Sequence, residues 1–177
     1  MNTAANQPVL SQATLDFLAR KHKLFINGAW VDSSGSETID IINPATEEVI
    51  TTIQAGTRAD VDTAVIAAHK ALKGDWAGLT ARQRGKVLNK YADLIDANLQ
   101  TLAELEVLDN GQPLMMAQYT VAGFAADFMR YYAGWCDKIE GVTIPVSPAE
   151  APAGGSLTYT KREPIGVVGA ITPWNAP

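Results

Sequence analysis

Apolar and polar positions divide the chain into three textures: short β-type runs, a long helical middle, and a return to β-type runs. Lys23-Leu24-Phe25-Ile26 and Ala29-Trp30-Val31 flank Asn27-Gly28. That dipeptide predicts a tight hairpin, because both turn positions tolerate positive φ. Residues 38–42 and 48–53 are two further β-rich runs, separated by Asn43-Pro44-Ala45-Thr46. Proline fixes φ and cannot continue a ladder, so this reads as a turn. Residues 1–12 read as a frayed tail, and residues 13–20 as a short helix carrying Leu15, Phe17 and Leu18.

In the middle the apolar spacing becomes helical. Thr57 is a plausible N-cap for a helix with Val61, Val65, Ala68 and Leu72 on one face. Thr80 and Gln83 match a capping box, opening a helix that carries Val87, Leu88, Tyr91, Leu94 and Ile95. Leu99, Leu102, Leu105 and Leu108 mark another helix, stopped by Asn110-Gly111. Pro113 suits the first turn of the next one. That helix is apolar on most sides and is therefore predicted to be buried on most sides.

From Gly141 the texture changes again. Residues 142–146 are β-like, residues 147–155 are a loose stretch rich in Pro, Ala and Gly, and residues 157–162 alternate as a half-exposed strand does. Ile165-Gly166-Val167-Val168-Gly169-Ala170-Ile171 is a short continuous apolar run between turn signals. Such a run fits a buried strand of a parallel sheet. A strand of that kind needs neighbours for its hydrogen bonds and for both apolar faces. The sequence shows no downstream segment to supply them, so it is expected to be a piece of a larger fold.

Composition narrows the classes. Of 177 residues, 47% are hydrophobic and 19% charged, an ordinary globular balance. A net charge of −5 without a dense run of Lys and Arg argues against a nucleic-acid surface. Arg82, Arg84 and Lys86 read as a solvated helix face. No run reaches the roughly 18 apolar residues of a membrane span, and residues 1–12 lack the pattern of a secretory signal. The one cysteine, Cys136, has no intramolecular partner and fits a reducing compartment, so a cytoplasmic location is expected.

Five segments, in order and spacing, resemble the aldehyde dehydrogenase superfamily from about residue 23 onward. They are Phe25-Ile26-Asn27-Gly28 with Trp30; Ile42-Asn43-Pro44-Ala45-Thr46; Leu108-Asp109-Asn110-Gly111; Arg130-Tyr131-Tyr132-Ala133-Gly134-Trp135; and Arg162-Glu163-Pro164-Ile165-Gly166-Val167-Val168-Gly169 running to Pro173-Trp174-Asn175-Ala176-Pro177. The last is the most specific.

The resemblance implies an α/β architecture: a β-hairpin, a helical layer and the start of a Rossmann-like parallel sheet. Residues 1–22 would be an N-terminal tail and 23–140 the N-terminal part of the cofactor-binding domain. Residues 141–163 would be an oligomerisation arm, and 164–177 the first strand of the dinucleotide sheet with the start of the active-site loop. By position, Asn175 would be the catalytic asparagine, its side-chain amide helping to form an oxyanion hole. Ile171, Thr172, Pro173, Trp174 and Asn175 match positions that contact NAD or NADP. The implied reaction oxidises a small-molecule aldehyde to a carboxylic acid through a thiohemiacetal and a thioester, in a homodimer or homotetramer.

Ile41, Ile42 and Asp109 match positions that bind a monovalent cation in some relatives, though a helix-end carboxylate beside Asn-Gly explains Asp109 nearly as well. The run from Val9-Leu10-Ser11-Gln12 through Phe17-Leu18 to Arg20-Lys21-His22 is similar to bacterial phenylacetaldehyde dehydrogenases and points to an arylalkyl aldehyde. Phe124, Met129 and Trp135 are candidates to line its tunnel, with packed core as the competing reading.

The residues also bound what this stretch can do alone. The family's nucleophilic cysteine, glutamate base and glycine-rich phosphate turn match nothing in it. Cys136 falls in an apolar helix and is expected to be structural. Gly166 and Gly169 lie within a strand-like run and make no dinucleotide fingerprint. Glu163 precedes a proline and reads as a surface residue. His22 and His69 lack ligand-spaced partners, so no zinc-type site is expected. The stretch by itself is not expected to oxidise aldehydes. The alternative is an inactive product that acts, if at all, by binding partners.

Overall fold

The computed structural model describes residues 9–147 and 155–175, apart from the side chains of 120–123. They form an α/β assembly of three antiparallel strand pairs and a helical layer. β1 (Leu24–Ile26) and β2 (Ala29–Val31) pair Leu24 with Val31 and Ile26 with Ala29. Between them Asn27 and Gly28 turn with φ of 54° and 78°, as the dipeptide predicts. β3 (Thr38–Ile42) pairs with β4 (Val49–Gln54), with a register shift between Ile41 and Ile42. The Asn43-Pro44 turn closes this pair. The buried Asn43 side chain accepts from the Ala45 amide at 2.9 Å, and its backbone exchanges bonds with Glu47 and Glu48.

The helices begin where the sequence places their caps. Thr57 caps α2 (Arg58–Ala71), with Asp60 completing a capping box. The Asp60 carboxylate also accepts from Ser33 Oγ at 2.7 Å and the Ser34 amide at 3.0 Å. The Thr57 amide above all, and then these serines, hold its pKa far below the usual carboxylate range. A one-turn helix, α3 (Asp75–Gly78), precedes α4 (Ala81–Ala97), which Thr80 and Gln83 cap reciprocally. α5 (Leu99–Asn110) ends on Gly111 at φ 79°, in the left-handed region. Pro113 caps α6 (Leu114–Gln118), which continues through a π-helical stretch, Tyr119–Ala126, into α7 (Asp127–Trp135).

The core is a narrow seam of small residues. Ala92 and Ile95 of α4 meet Ala126, with Leu102, Ala125 and Met129 packed around them. Farther along, a Cβ on Gly85 would lie 2.9 Å from the Ala133 carbonyl oxygen, so α4 and α7 meet backbone to backbone. Arg130 spans the rim of this seam, pairing with Asp93 at 3.0 Å and with Asp96.

Two expectations are corrected, and a third element stands without the neighbours it needs. The long helix of residues 114–135 is not buried on most sides. Ala117, Ala126 and Ala133 are buried, while Tyr119, Phe124, Phe128, Tyr131, Tyr132 and Trp135 face outward. Only its small-residue side meets α4 and α5, and nothing among the described residues covers the aromatic side. Residues 165–171 form no strand and are not buried: Ile165 is 91% and Ile171 93% exposed. A strand exists only by pairing, and none of the described strands lies beside this run. Finally, residues 9–12 are not a loose tail, since Ser11 caps α1 (Gln12–Leu18).

Ser11 and Thr14 converge on Glu104 of α5, which is 2% exposed. Glu104 accepts from the Ser11 amide at 3.0 Å, Ser11 Oγ at 2.7 Å, Gln100 Nε2 at 2.7 Å and Thr14 Oγ1. Burial pushes its carboxyl up, but the bonds from Thr14, Gln100 and Ser11 outweigh burial and hold it at about 2.

Two outcomes follow. At Gly111 the left-handed φ disfavours a side chain, and a Cβ would sit 3.1 Å from the Pro44 ring. Gly111→Ala should therefore cost about 1–2 kcal/mol in urea unfolding; an unchanged midpoint would contradict the assignment. Because the folded Glu104 carboxyl titrates below the ordinary 4.5, its stabilisation is complete above that pH and lost as pH falls toward about 2. Glu104→Gln should lower stability at neutral pH and flatten its pH dependence across that acid window, as read by thermal unfolding from pH 7 to 2.

Candidate active site

The candidate chemistry lies at the end of a segment whose described backbone ties lie at its start. β5 (Thr143–Ile144) and β6 (Thr158–Tyr159) pair antiparallel within the expected arm. The loose loop predicted between them falls largely outside the described residues. Beyond β6, the Thr160 amide donates to the Val142 carbonyl at 2.9 Å, and Arg162 Nε donates to the Glu140 carbonyl at 3.1 Å. A Cβ at Gly141 would run into the Thr160 carbonyl, so this crossing requires glycine. Gly166 adopts φ 108°, a second position where a side chain would be strained.

From there residues 161–173 run without helix or strand to a turn at Trp174 and Asn175. The predicted site residues Ile171, Thr172, Pro173, Trp174 and Asn175 are contiguous and exposed, with Trp174 at 86%. The chain brings them together, and no other described element wraps them. Chemically, the Asn175 carboxamide is a neutral donor suited to a developing oxyanion, provided that something holds it in place. Ala176 and Pro177 lie outside the described residues.

The other candidates separate. Ile41 and Ile42 lie on β3, against which α5 packs, and Asp109 is exposed near the end of α5. The two elements meet where Gly111 faces Pro44. Beside Asp109, the Glu106 carboxyl is pushed up by burial, while Asn110 and Gln112 donate to it at 2.8 and 2.7 Å. Among the described residues no three His, Cys, Asp or Glu side chains gather as a metal site. Cys136 Sγ lies 3.5 Å from the Tyr132 carbonyl, at the end of α7. The His22 ring packs 5.0 Å from that of Phe17.

A second feature is an open cavity lined by Tyr119, Phe124, Asp127, Phe128 and Tyr131. The π-helical stretch aligns residues five apart, and Tyr119 meets Phe124 edge to face at 5.4 Å. Phe128 stacks beyond Phe124 at 6.2 Å. Of the three residues named from sequence as a tunnel wall, Phe124 lines this cavity. Met129 packs into the core seam, and Trp135 lies outside the cavity, 6.2 Å from Tyr131. The sequence reading missed Tyr119, Phe128 and Tyr131. Their signal was the aromatic spacing at 119, 124, 128 and 131.

Comparison with known proteins places these features in a family. Residues 30–177 match the sequence model of the aldehyde dehydrogenase family. The chain is 47% identical over 154 residues to an aldehyde dehydrogenase of Alternaria alternata, an alignment covering 87% of this chain and 30% of that protein. A solved variant of the Bacillus cereus aldehyde dehydrogenase superposes with a TM-score of 0.86 at 42% identity, covering 95% of this chain and 33% of that one. The NAD+ complex of the Bacillus cereus enzyme gives 0.80 at 39%, covering 88% and 31%. The chain thus spans about a third of the length of the relatives it matches.

Proposed function

The chain belongs to the aldehyde dehydrogenase family, and on that premise we propose that it is the N-terminal part of an enzyme oxidising an aldehyde to a carboxylic acid with NAD(P). The observation that carries this reading is that the family match continues through Asn175. In the completed enzyme the run 165–171 becomes a buried strand, its apolar side chains covered by sequence that the relatives possess and this stretch does not. That burial would hold the Asn175 turn rigid at the strand's end.

Asn175 then donates its side-chain N–H to the carbonyl oxygen as a thiolate adds to the carbonyl carbon. The amide carries no charge, so it binds the ground-state carbonyl weakly and the tetrahedral oxyanion strongly. The thiolate and the base that activates water for thioester hydrolysis come from residues outside this stretch. Ile171, Thr172, Pro173 and Trp174, exposed and mostly apolar, would hold the nicotinamide of the cofactor. When bound, the cofactor supplies the hydride acceptor. The aldehyde dehydrogenase of Bacillus cereus is solved with NAD+, which supports that cofactor for this chain too. The β5–β6 pair, which no other described strand flanks, is suited to pairing with a second subunit, as in a homodimer or homotetramer.

The aromatic cavity favours an arylalkyl aldehyde. Tyr119, Phe124 and Phe128 offer ring edges and faces that stack on an aryl group and gain little from a short aliphatic chain.

Two measurements test this reading in the enzyme carrying the whole family sequence. Asn175→Ala should lower kcat about 10²–10³-fold with KM within a few-fold, because the lost bond is made in the transition state. An unchanged kcat would remove Asn175 from the chemistry. Phe124→Ala combined with Phe128→Ala should cut kcat/KM for an arylalkyl aldehyde roughly tenfold or more and leave propanal nearly unaffected. Equal losses for both aldehydes would sink the substrate assignment.

A further inference from the structure

The seven residues of α1 are too few for a helix to persist in water by itself. Its order comes from what it touches, and it touches two layers. At its start, Ser11 and Thr14 place three donors on the buried Glu104 of α5, and Gln100 adds a fourth. In the middle, Phe17 forms one wall of an apolar groove whose other walls include Tyr91, Leu94 and Ile95 of α4 and Leu102 and Leu105 of α5. At its end, the Leu18 carbonyl accepts from Thr51 Oγ1 of β4 at 3.0 Å, and His22 forms a parallel bridge with Ile53. Elsewhere among the described residues these layers meet where α5 packs on β3 beside Pro44 and Gly111, and where Asp60 of α2 accepts from Ser33 and Ser34. The segment also precedes residues 30–177, where the family match lies.

We propose that residues 9–22 are a strap that locks the β3–β4 pair to the helical layer, so that the two open together rather than separately. The lock is Glu104. A carboxylate has only acceptors, and every group facing it here is a donor. A glutamine of the same shape would turn an amide N–H toward those donors, leaving buried polar groups unpaired. Release at Glu104 frees α1, and with α1 go the Thr51 bond and the His22 bridge that steady β4. This device is independent of the catalytic reading and concerns the coupling of the layers alone.

Hydrogen exchange followed by mass spectrometry on the full chain tests the coupling. In Glu104→Gln, exchange should rise roughly tenfold or more in residues 12–18 and also in residues 49–54, as expected for loss of a charged hydrogen-bond set. Residues 127–135, which the strap does not touch, should keep their native protection. Thr14→Val removes a single donor and serves if Glu104→Gln fails to fold. It should raise exchange in the same two segments together, by a smaller factor. A rise confined to residues 12–18 in either variant, with 49–54 at the native rate, would overturn the proposal.

Discussion

The close approach of α4 and α7 is the constraint on which the rest of this structure depends. Two helices can touch backbone to backbone only where their facing residues are small, and here those residues are Gly85, Ala92, Ala126 and Ala133. Such a seam has little apolar area of its own, and dispersion across tightly matched surfaces does most of the holding. It also decides which way the large residues point. With alanines turned inward, the rings of Tyr119, Phe124, Phe128 and Tyr131 are left on the opposite side, where they line an open cavity. The same packing choice thus makes the core and the candidate substrate surface.

The sheet layer joins this seam through local contacts, polar at Glu104 and apolar at Phe17 and Pro44. Glu104 gathers α1 onto α5, and the Pro44 ring rests on Gly111. A buried carboxylate is costly unless every lone pair is met, and here four donors meet it. Residues 165–175 have no such support: they are tethered through Thr160 and Arg162, and their apolar side chains stand in solvent. An oxyanion donor works by being preorganised. The tethering of this stretch therefore bears directly on function, and a covering layer over it is what the proposed chemistry requires.

What the sequence made legible was what its neighbours in sequence decide. The Asn27-Gly28 turn, the Thr57 and Thr80 caps and the Gly111 stop are interactions within four residues, and they lie where the residue types predict. The antiparallel β3–β4 pair followed from a proline turn between two β-rich runs. Contacts across the chain were not legible in this way. Ser11 and Glu104 stand 93 residues apart, and neither residue type announces the other. The exposure of the long apolar helix was misjudged because hydrophobicity shows that a face wants cover and says nothing of whether cover is present. In the candidate site, residues 171–175 emerged from a family resemblance and Phe124 from its place on the helix. Phe128 and Tyr131 needed the helix to be seen in three dimensions.

On the proposed function, residues 165–175 reach their working form under further sequence of the same polypeptide. The intact mass of the native protein containing this sequence tests it most directly. The expected species is much heavier than the 18.9 kDa of these 177 residues and reduces NAD(P) in the presence of an aldehyde. A native species of 18.9 kDa that oxidises aldehydes unaided would contradict it.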